Sequence, residues 1–341
     1  MQSFVEFSGS ICVAHGTEIV METAAGTADL GTGAACSSGT RFQIASVSKQ
    51  FTAAAAMLLV EEEKLDLHAP IASWLDGRWP RWSELTLHQL LSHTSGLGHW
   101  WVLPDYDISD PDGAQDLLER FSILPLRSTP GTQWEYSSPG YLLTAWILEQ
   151  ASGLRYADFL TSRLLRPLGM DATHGSTIPR DPVARGYRGR RRVDVPSFAA
   201  LPGAGDIWAT AADLVRYTTA FNAGRVVAAS SRDMMTTIHA SALGGWGTDS
   251  LVAAEGCGYG YLLGTLAGQP MRFHPGDNPG YQAFLGWLPQ SDLTIAILSN
   301  QETTDIADVL RHVLSHPRVA MAKQPCRSSP WPFGGDRLSE P

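Results

Sequence analysis

Lysine is scarce in this sequence. The 25 basic residues comprise 22 arginines and three lysines, which stand at positions 49, 64 and 323. Lys49 follows Ser46 by three residues, near the start of the alanine-rich stretch Phe42–Val60. Arginine would serve if position 49 needed only a positive charge, because its guanidinium stays protonated. The choice of lysine therefore indicates an amine that can lose its proton.

Cysteine is the second scarce residue. The four cysteines lie far apart and form no CxxC pair, which excludes a zinc ribbon and a thioredoxin-type motif and gives no sign of a disulfide framework. They are Cys12, Cys36, Cys257 and Cys326. We interpret Cys257 as a small buried residue rather than a nucleophile, because free cysteine is most often simply packed.

The sequence also lacks a basic excess and a long apolar run. Its formal net charge of -9 argues against a nucleic-acid-binding protein. No run approaches the ~18 apolar residues of a membrane span, and residues 1–16 lack the features of a signal peptide. A hydrophobic content of 44% is typical of a globular chain. We expect a soluble, cytoplasmic protein without nucleic-acid or membrane partners; the oligomeric state is not indicated.

Motifs for metals and cofactors are missing as well. His88 and His93 are five residues apart, which does not place them on one helix face, and no His-Glu-x-x-His occurs. No G-x-S-x-G occurs either, which excludes the usual nucleophile elbow of α/β-hydrolases. No phosphate-binding G-x-G-x-x-G follows a predicted strand. We therefore expect no metal and no cofactor.

Strand patterns occur at both ends of the sequence. Gly9–Gly26 contains two short β-leaning runs around His15-Gly16-Thr17, which predicts a hairpin. Towards the C-terminus, four short apolar runs separated by turn residues predict an antiparallel meander. These runs are Tyr259–Leu266, Pro270–Gly276, Tyr281–Pro289 and Leu293–Asn300.

Helical patterns fill the middle of the chain. The stretch from about Ser46 to Glu63 is apolar nearly all round, which predicts a buried central helix. Further helices are predicted there at Leu85–Leu97, Ser138–Gly153, Tyr156–Met170 and Ala209–Gly224, and a closing helix at Thr304–His316 follows the last strand. Strands at the ends and helices between them favour an α+β fold. We expect a discontinuous sheet domain of residues 1–64 and 203–316, a mainly helical domain of residues 65–202, and a disordered tail of residues 317–341.

The spacing of Ser46 and Lys49 has a chemical use. Residues three apart on a helix share a face, so the two side chains can touch. A serine hydroxyl is a poor nucleophile until a base takes its proton. Burial can lower the pKa of a lysine enough to make it that base. The helix N-terminus adds free backbone N–H groups that suit a developing oxyanion.

Two further stretches follow Ser46-Val47-Ser48-Lys49 in the chain, WEYSSPGY (Trp134–Tyr141) and FHPGDNPGY (Phe273–Tyr281). Together the three resemble the motifs Ser-x-x-Lys, Tyr-x-Asn and Lys/His-x-Gly of the serine β-lactamase and penicillin-binding-protein superfamily. The pattern is nearest to the branch that contains class C β-lactamases, DD-peptidases, esterases and D-aminopeptidases. The resemblance runs from about residue 4 to residue 314.

Two more stretches, Leu90–Leu97 and Gly203–Tyr217, look like structural segments of the same family. The resemblance implies the β-lactamase-like fold, in which an antiparallel sheet built from both chain ends is flanked by helices and interrupted by a mainly helical region. It also implies a serine hydrolase that works through an acyl-enzyme and needs no cofactor.

The resemblance assigns roles to individual residues. Ser46 would be the acylated nucleophile, and Lys49 its proton acceptor or electrostatic partner. Tyr136 matches the family tyrosine, whose phenolate, stabilised by Lys49, can act as general base. Whether Lys49 or Tyr136 holds the proton at each step is a coupled titration that the sequence leaves open.

The third motif would supply substrate contacts. The oxyanion hole would consist of the backbone N–H groups of Ser46 and Asp277. Gly276 would let the substrate approach the strand edge closely. His274 would orient the substrate or tune Tyr136, or else be a structural histidine.

The sequence departs from the family pattern at two positions. Ser138 stands where the family usually has asparagine, and it offers one donor on a shorter arm. His274 replaces the lysine of β-lactamases and is followed by an unusual Pro275. Both departures favour a small ester, an amide or a D-peptide as substrate over a dedicated β-lactamase activity. Alternatives are a biosynthetic acyltransferase, a weak β-lactamase and a non-catalytic sensor.

Two other segments have open interpretations. RGYRGRRR (Arg185–Arg192) is either a solvated loop or a loop over the pocket that attracts a substrate carboxylate. The aromatic segment Leu97–Asp107 could line an acyl pocket or serve packing alone.

Overall fold

A computed structural model describes residues 7–103, 113–193, 201–241 and 251–322. The strands in these ranges are, in chain order, β1 Gly9–His15, β2 Glu18–Ala25, β3 Thr27–Asp29, β4 Ala34–Ala35, β5 Phe42–Gln43, β6 Tyr187–Arg188, β7 Arg191–Arg192, β8 Trp208–Ala209, β9 Ala240–Ser241, β10 Val252–Cys257, β11 Leu262–Leu266, β12 Gln269–Asn278, β13 Tyr281–Leu288 and β14 Leu293–Ser299. Eight of them form one antiparallel sheet in the order β2-β1-β14-β13-β12-β11-β10-β9. The predicted α+β fold with an antiparallel sheet is confirmed.

The helices flank this sheet. They are α1 Ser48–Glu61, α2 Ala72–Leu75, α3 Leu87–Leu91, α4 Ala114–Ser122, α5 Ser138–Ser152, α6 Tyr156–Leu160, α7 Ala211–Asn222, α8 Ala229–Met235, α9 Ile306–Ser315 and α10 Pro317–Ala322. Short 3-10 turns occupy Ala45–Val47, Pro80–Trp82 and Trp100–Val102, and a π turn occupies Thr161–Leu165. None of the helices in the described ranges has the length and apolar character needed to cross a bilayer.

The two ends of the chain meet in the sheet, where β1 and β14 are neighbouring strands. β1 pairs with β14 antiparallel along its whole length, from Gly9 opposite Ser299 to His15 opposite Leu293. Because successive strand residues point to opposite faces, Cys12 lies in the core shared with α1 and α7. Its neighbour Ile11 lies in the second core, beneath α9. The sheet is therefore covered on both faces.

The alanine-rich helix is buried almost all round, as predicted, but it begins later than expected. α1 starts at Ser48, and Ser46 lies in the preceding 3-10 turn. Ala45 in this turn has φ +47°, in the left-handed region, which costs about 1–2 kcal/mol for a residue with a Cβ. Gly276 on β12 packs against the turn so closely that a Cβ there would lie 2.3 Å from the carbonyl oxygen of Ile44. The turn that carries Ser46 is thus held closely against β12.

Other helix boundaries differ from the predicted ones for local reasons. The segment Leu85–Leu97 forms only the short α3, because His93 adopts φ +58° and ends the helical path. Tyr156–Met170 is divided between α6 and the π turn that follows it. The predicted end of α5 at Gly153 is confirmed, with φ +70° at that glycine.

The C-terminal tail was predicted to begin at residue 317, but residues 317–322 form α10, whose Val319 is fully buried. Residues 323–341 lie outside the described ranges. Neither β10 nor α8 was predicted from the sequence. The division of the chain into two domains stays a prediction.

Truncation of a buried leucine in α9 tests how this helix closes the second core. Leu310 is fully buried there, so Leu310→Ala should lower the free energy of unfolding by about 2–5 kcal/mol through lost contacts and a cavity. Leu154, which is 44% exposed, is a matched control. Leu154→Ala should change the free energy of unfolding by about 0.5 kcal/mol or less. Urea denaturation measures both. Equal effects would contradict the docking of α9.

Candidate active site

Ser46 and Lys49 meet at the start of α1. The Nζ atom of Lys49 lies 3.1 Å from the Oγ atom of Ser46. Ser46 is partly exposed, whereas Lys49 is fully buried. A substrate can therefore reach the hydroxyl while the amine behind it is kept from bulk water.

The Lys49 amine is surrounded by oxygen atoms. Besides Ser46, it contacts the Oγ atom of Ser138 at 3.1 Å and the carbonyl oxygen of Ala204 at 2.8 Å. Burial lowers the pKa of Lys49 well below 10.5, because desolvation disfavours the charged form. The negative charge of Asp206 opposes this shift in part. The amine is held where it can exchange a proton with a hydroxyl.

Asp206 is a buried carboxyl group that the sequence did not single out. It accepts hydrogen bonds from the Ser176 hydroxyl at 2.6 Å and from the Gly203 N–H at 3.0 Å. Burial raises its pKa to about 6, so the carboxyl is ionised above that pH. Its only signal in the sequence was its place in the family-like segment Gly203–Tyr217. A carboxylate here favours the charged form of Lys49.

Tyr136 lies over the same amine. The Lys49 Nζ atom is 5.0 Å from the centroid of its ring. Desolvation raises the pKa of Tyr136, and hydrogen bonds of its hydroxyl with Ser46 and Ser138 oppose that rise. The three motif side chains Ser46, Lys49 and Tyr136 are therefore together, as the sequence predicted them to be.

Ser138, in the first turn of α5, lies between Lys49 and a histidine that sequence reasoning missed. The Nε2 atom of His99 is 3.2 Å from the Ser138 Oγ atom. The His99 ring stacks on Tyr136, with centroids 5.5 Å apart, and on Trp101 at 4.1 Å. Trp101 is 69% exposed. Part of the aromatic segment thus does reach the site; residues 104–107 lie outside the described ranges.

His274 is buried next to this group. Its ring centroid lies 6.0 Å from that of Tyr136, and its Nδ1 atom is 2.6 Å from the Pro275 carbonyl oxygen. Burial and the nearby Lys49 lower the pKa of His274 to about 3, so the ring is neutral. A carbonyl only accepts hydrogen bonds, so Nδ1 carries the proton. Whether His274 orients the substrate, tunes Tyr136 or is a structural histidine stays a prediction.

The strand register positions the Asp277 amide. Pro279 and Gly280, the latter with φ +85°, form a two-residue turn between β12 and β13. In such a turn the closing pair, Asn278 and Tyr281, is hydrogen-bonded across the two strands. In an antiparallel pair every second residue of β12 then directs its backbone N–H away from β13. Asp277 is one of these. β11 pairs only as far as Phe273, which leaves this edge of β12 facing the turn that carries Ser46.

His93 is a second histidine missed from the sequence. It is buried, its ring lies 4.5 Å from that of Tyr136, and its Nδ1 atom accepts a hydrogen bond from the Ser137 N–H at 3.0 Å. The family resemblance marks Leu90–Leu97 as a structural segment and gives His93 no role. His93 supports Tyr136 from behind and links α3 to the start of α5.

The arginine-rich segment forms an exposed hairpin of β6 and β7. Arg188 makes a two-pronged ion pair with Glu302, at 3.1 and 2.7 Å. Residues 190–192 are exposed or nearly so. Both interpretations of this loop agree with that exposure, so its role in substrate attraction stays a prediction.

Within the described ranges, no cluster of three or more histidine, cysteine, aspartate or glutamate side chains is arranged to hold a metal ion. Cys257 is buried, as predicted, and its thiol donates to the Ser92 carbonyl oxygen at 3.2 Å. Burial raises the pKa of this thiol to about 12, which makes it a poor nucleophile. Cys326 lies outside the described ranges.

Comparison with known proteins identifies the family. The β-lactamase family model matches residues 1–316, and the chain belongs to this family. Penicillin-binding protein 4 of Amycolatopsis lactamdurans is 30% identical over 321 residues, which cover 86% of this chain and 81% of the relative. Esterase EstB of Burkholderia gladioli is 36% identical over 177 residues, 47% of this chain and 45% of the esterase.

A solved structure shows the same architecture. D-amino acid amidase from Ochrobactrum anthropi SV3, complexed with L-phenylalanine, superposes with a TM-score of 0.79 at 25% identity and covers 93% of this chain and 94% of its own. The predicted β-lactamase-like fold is confirmed. Together with the family match, these relatives support hydrolase activity.

The three lysines of the chain offer a direct test of the buried amine. Protein labelled with 13C at lysine Cε should show one resonance that titrates well below pH 10.5, because burial disfavours the ammonium form of Lys49. The Lys49→Met variant, in which that signal disappears, assigns it, and Lys64→Met is the matched surface control. A Lys49 signal that titrates at or above 10.5 would contradict the environment described for this amine.

Proposed function

We propose that the protein is a serine hydrolase that forms an acyl-enzyme on Ser46. The observation that carries this proposal is the contact between the buried Lys49 amine and the partly exposed Ser46 hydroxyl, at 3.1 Å. An amine with a lowered pKa can take a hydroxyl proton at neutral pH, and no arginine could do so. Family membership supports the same chemistry.

In the proposed reaction, the Ser46 Oγ atom attacks a substrate carbonyl carbon while its proton passes to the Lys49–Tyr136 pair. The carbonyl electrons move to oxygen, which the N–H groups of Ser46 and Asp277 stabilise. Collapse of this intermediate expels the leaving group, which takes the proton. Water then repeats the sequence on the acyl-enzyme and restores Ser46.

The substrate is proposed to be a small ester, or an amide or peptide with a D-residue. The names of the esterase and of the D-amino acid amidase support these classes. Ser138 and Pro275 differ from the β-lactamase pattern and weigh against a dedicated β-lactamase. Because pocket loops set substrate choice in such folds, the acyl and leaving groups have to be determined by experiment.

Hydrolysis of p-nitrophenyl butyrate by variants tests the nucleophile and the base. Ser46→Ala should lower kcat by about 10³-fold or more, and Lys49→Ala by about 10²–10⁴-fold because the proton acceptor is lost. Ser230→Ala and Lys64→Ala, at exposed positions, are matched controls that should keep wild-type rates.

Several outcomes of this assay would be decisive. Turnover that survives in Ser46→Ala would refute the assignment of the nucleophile, and no turnover by the wild type would refute ester hydrolysis. Products formed with added alcohols would reveal acyl transfer instead of hydrolysis. A penicilloyl adduct seen by intact mass in the wild type, and absent from Ser46→Ala, would extend the acyl chemistry to β-lactams.

The pH dependence should report the Lys49 amine. The reactive form is the neutral amine, so kcat/KM should rise with pH and level off above the lowered pKa of Lys49. Asp206, ionised above about pH 6, favours the ammonium form. Asp206→Asn should therefore move the rising limb to lower pH, whereas Asp213→Asn, another buried carboxyl, should leave it in place. A limb that moves to higher pH in Asp206→Asn would contradict this assignment.

A further inference from the structure

The hydrogen-bond partners of His99 fix which of its nitrogens carries a proton. Its Nδ1 atom lies 2.7 Å from the backbone nitrogen of Trp100 and accepts that N–H. A backbone N–H can only donate, so Nδ1 is unprotonated. The neutral ring must then carry its proton on Nε2, which lies 3.2 Å from the Ser138 Oγ atom. His99 is therefore the donor in its contact with Ser138.

We propose that His99 is a positioning residue that keeps the hydroxyl proton of Ser138 directed at Tyr136, so that Ser138 can accept an N–H of Lys49. The proposal rests on the proposed function of Ser46. Ser138 has three polar neighbours, His99, Lys49 and Tyr136, and one proton to give. Because His99 donates to Ser138, that proton cannot point at His99, and it is directed at Tyr136 when Ser138 accepts an N–H of Lys49.

The direction of this hydroxyl matters for the Lys49 amine. A neutral amine has two N–H groups and one lone pair, and the Ala204 carbonyl at 2.8 Å uses one N–H. If Ser138 accepts the second N–H, the lone pair is left for the Ser46 proton. The Ser138 oxygen can accept hydrogen bonds from the His99 Nε2–H and from a Lys49 N–H on its two lone pairs, and its own proton can be donated to the Tyr136 oxygen. This arrangement is the productive one for attack by Ser46.

The surroundings of His99 support a fixed, neutral ring. The ring is stacked between Trp101 and Tyr136, with interplanar angles of 11° and 21°. It also stands at the N-terminus of the turn Trp100–Val102, which supplies the N–H that Nδ1 accepts. Burial and the nearby Lys49 lower the pKa of His99 to about 3, so it stays uncharged in the neutral range.

The first arm of the test is independent of activity. Two-bond 1H–15N correlation spectra of the histidine rings distinguish the two neutral tautomers, and His99→Gln assigns the signals. We expect the Nε2–H tautomer for His99. The Nδ1–H tautomer would overturn the inference, because His99 would then accept the Ser138 proton and draw it away from Tyr136.

The second arm measures kcat and KM for p-nitrophenyl butyrate. His99→Phe keeps a stacking ring without nitrogens and should lower kcat about tenfold with little change in KM, as expected for one neutral hydrogen bond. His99→Gln places an amide N–H near the former Nε2 position and should restore most of kcat. In a Ser138→Ala background, His99→Phe should have no further effect.

The outcomes separate this inference from the proposed function. Equal losses in His99→Phe and His99→Gln, or losses that add in the Ser138→Ala background, would overturn the positioning role while Ser46 chemistry stands. A wild type without ester turnover would overturn the proposed function and the catalytic role of His99 with it. Thermal unfolding of each variant shows whether a loss of kcat reflects a loss of folded protein.

Discussion

The burial of one amine constrains the rest of the site. Lys49 is fully enclosed, and its nitrogen is satisfied by Ser46, Ser138 and the Ala204 carbonyl. A buried lysine without such partners would cost several kcal/mol, because its charged form loses hydration and its neutral form loses hydrogen bonds. The partners must therefore come from separate parts of the chain. The start of α1, the start of α5 and the segment before β8 converge on this nitrogen.

The sheet explains why those parts can converge. Pairing of β1 with β14 joins the chain ends and forms the surface on which α7 packs, in the core that also contains α1. The edge of β12 that is not paired with β11 faces the turn that carries Ser46. Gly276 lets this strand approach the turn more closely than a residue with a Cβ could. The unfavourable backbone angle of Ala45 is tolerated because packing against β12 holds the turn in place. Fold and site thus depend on the same few contacts.

The sequence predicted what local spacing determines. Tyr136 and Asp277 were assigned through the family resemblance. Ser46 and Lys49 are three residues apart, and the strands are separated by turn residues, so this pair and the sheet were predictable from local patterns. Asp206, His93 and His99 were not, because each matters through neighbours distant in the chain rather than through a local pattern. α10 was missed for a related reason. Its six residues are too few to show a helical apolar period, and burial of Val319 against the sheet core stabilises them.

Each of the three neutral histidines around Lys49 has its Nδ1 atom hydrogen-bonded to a main-chain group. Nδ1 of His93 accepts a backbone N–H, as does Nδ1 of His99, whereas Nδ1 of His274 donates to a carbonyl. The main chain thereby decides which ring nitrogen carries the proton in each case. A protonated histidine here would lower the pKa of Lys49 further through like-charge repulsion. With these rings held neutral, the surrounding hydrogen bonds can keep fixed directions while, in the proposed reaction, the Lys49–Tyr136 pair exchanges a proton with Ser46.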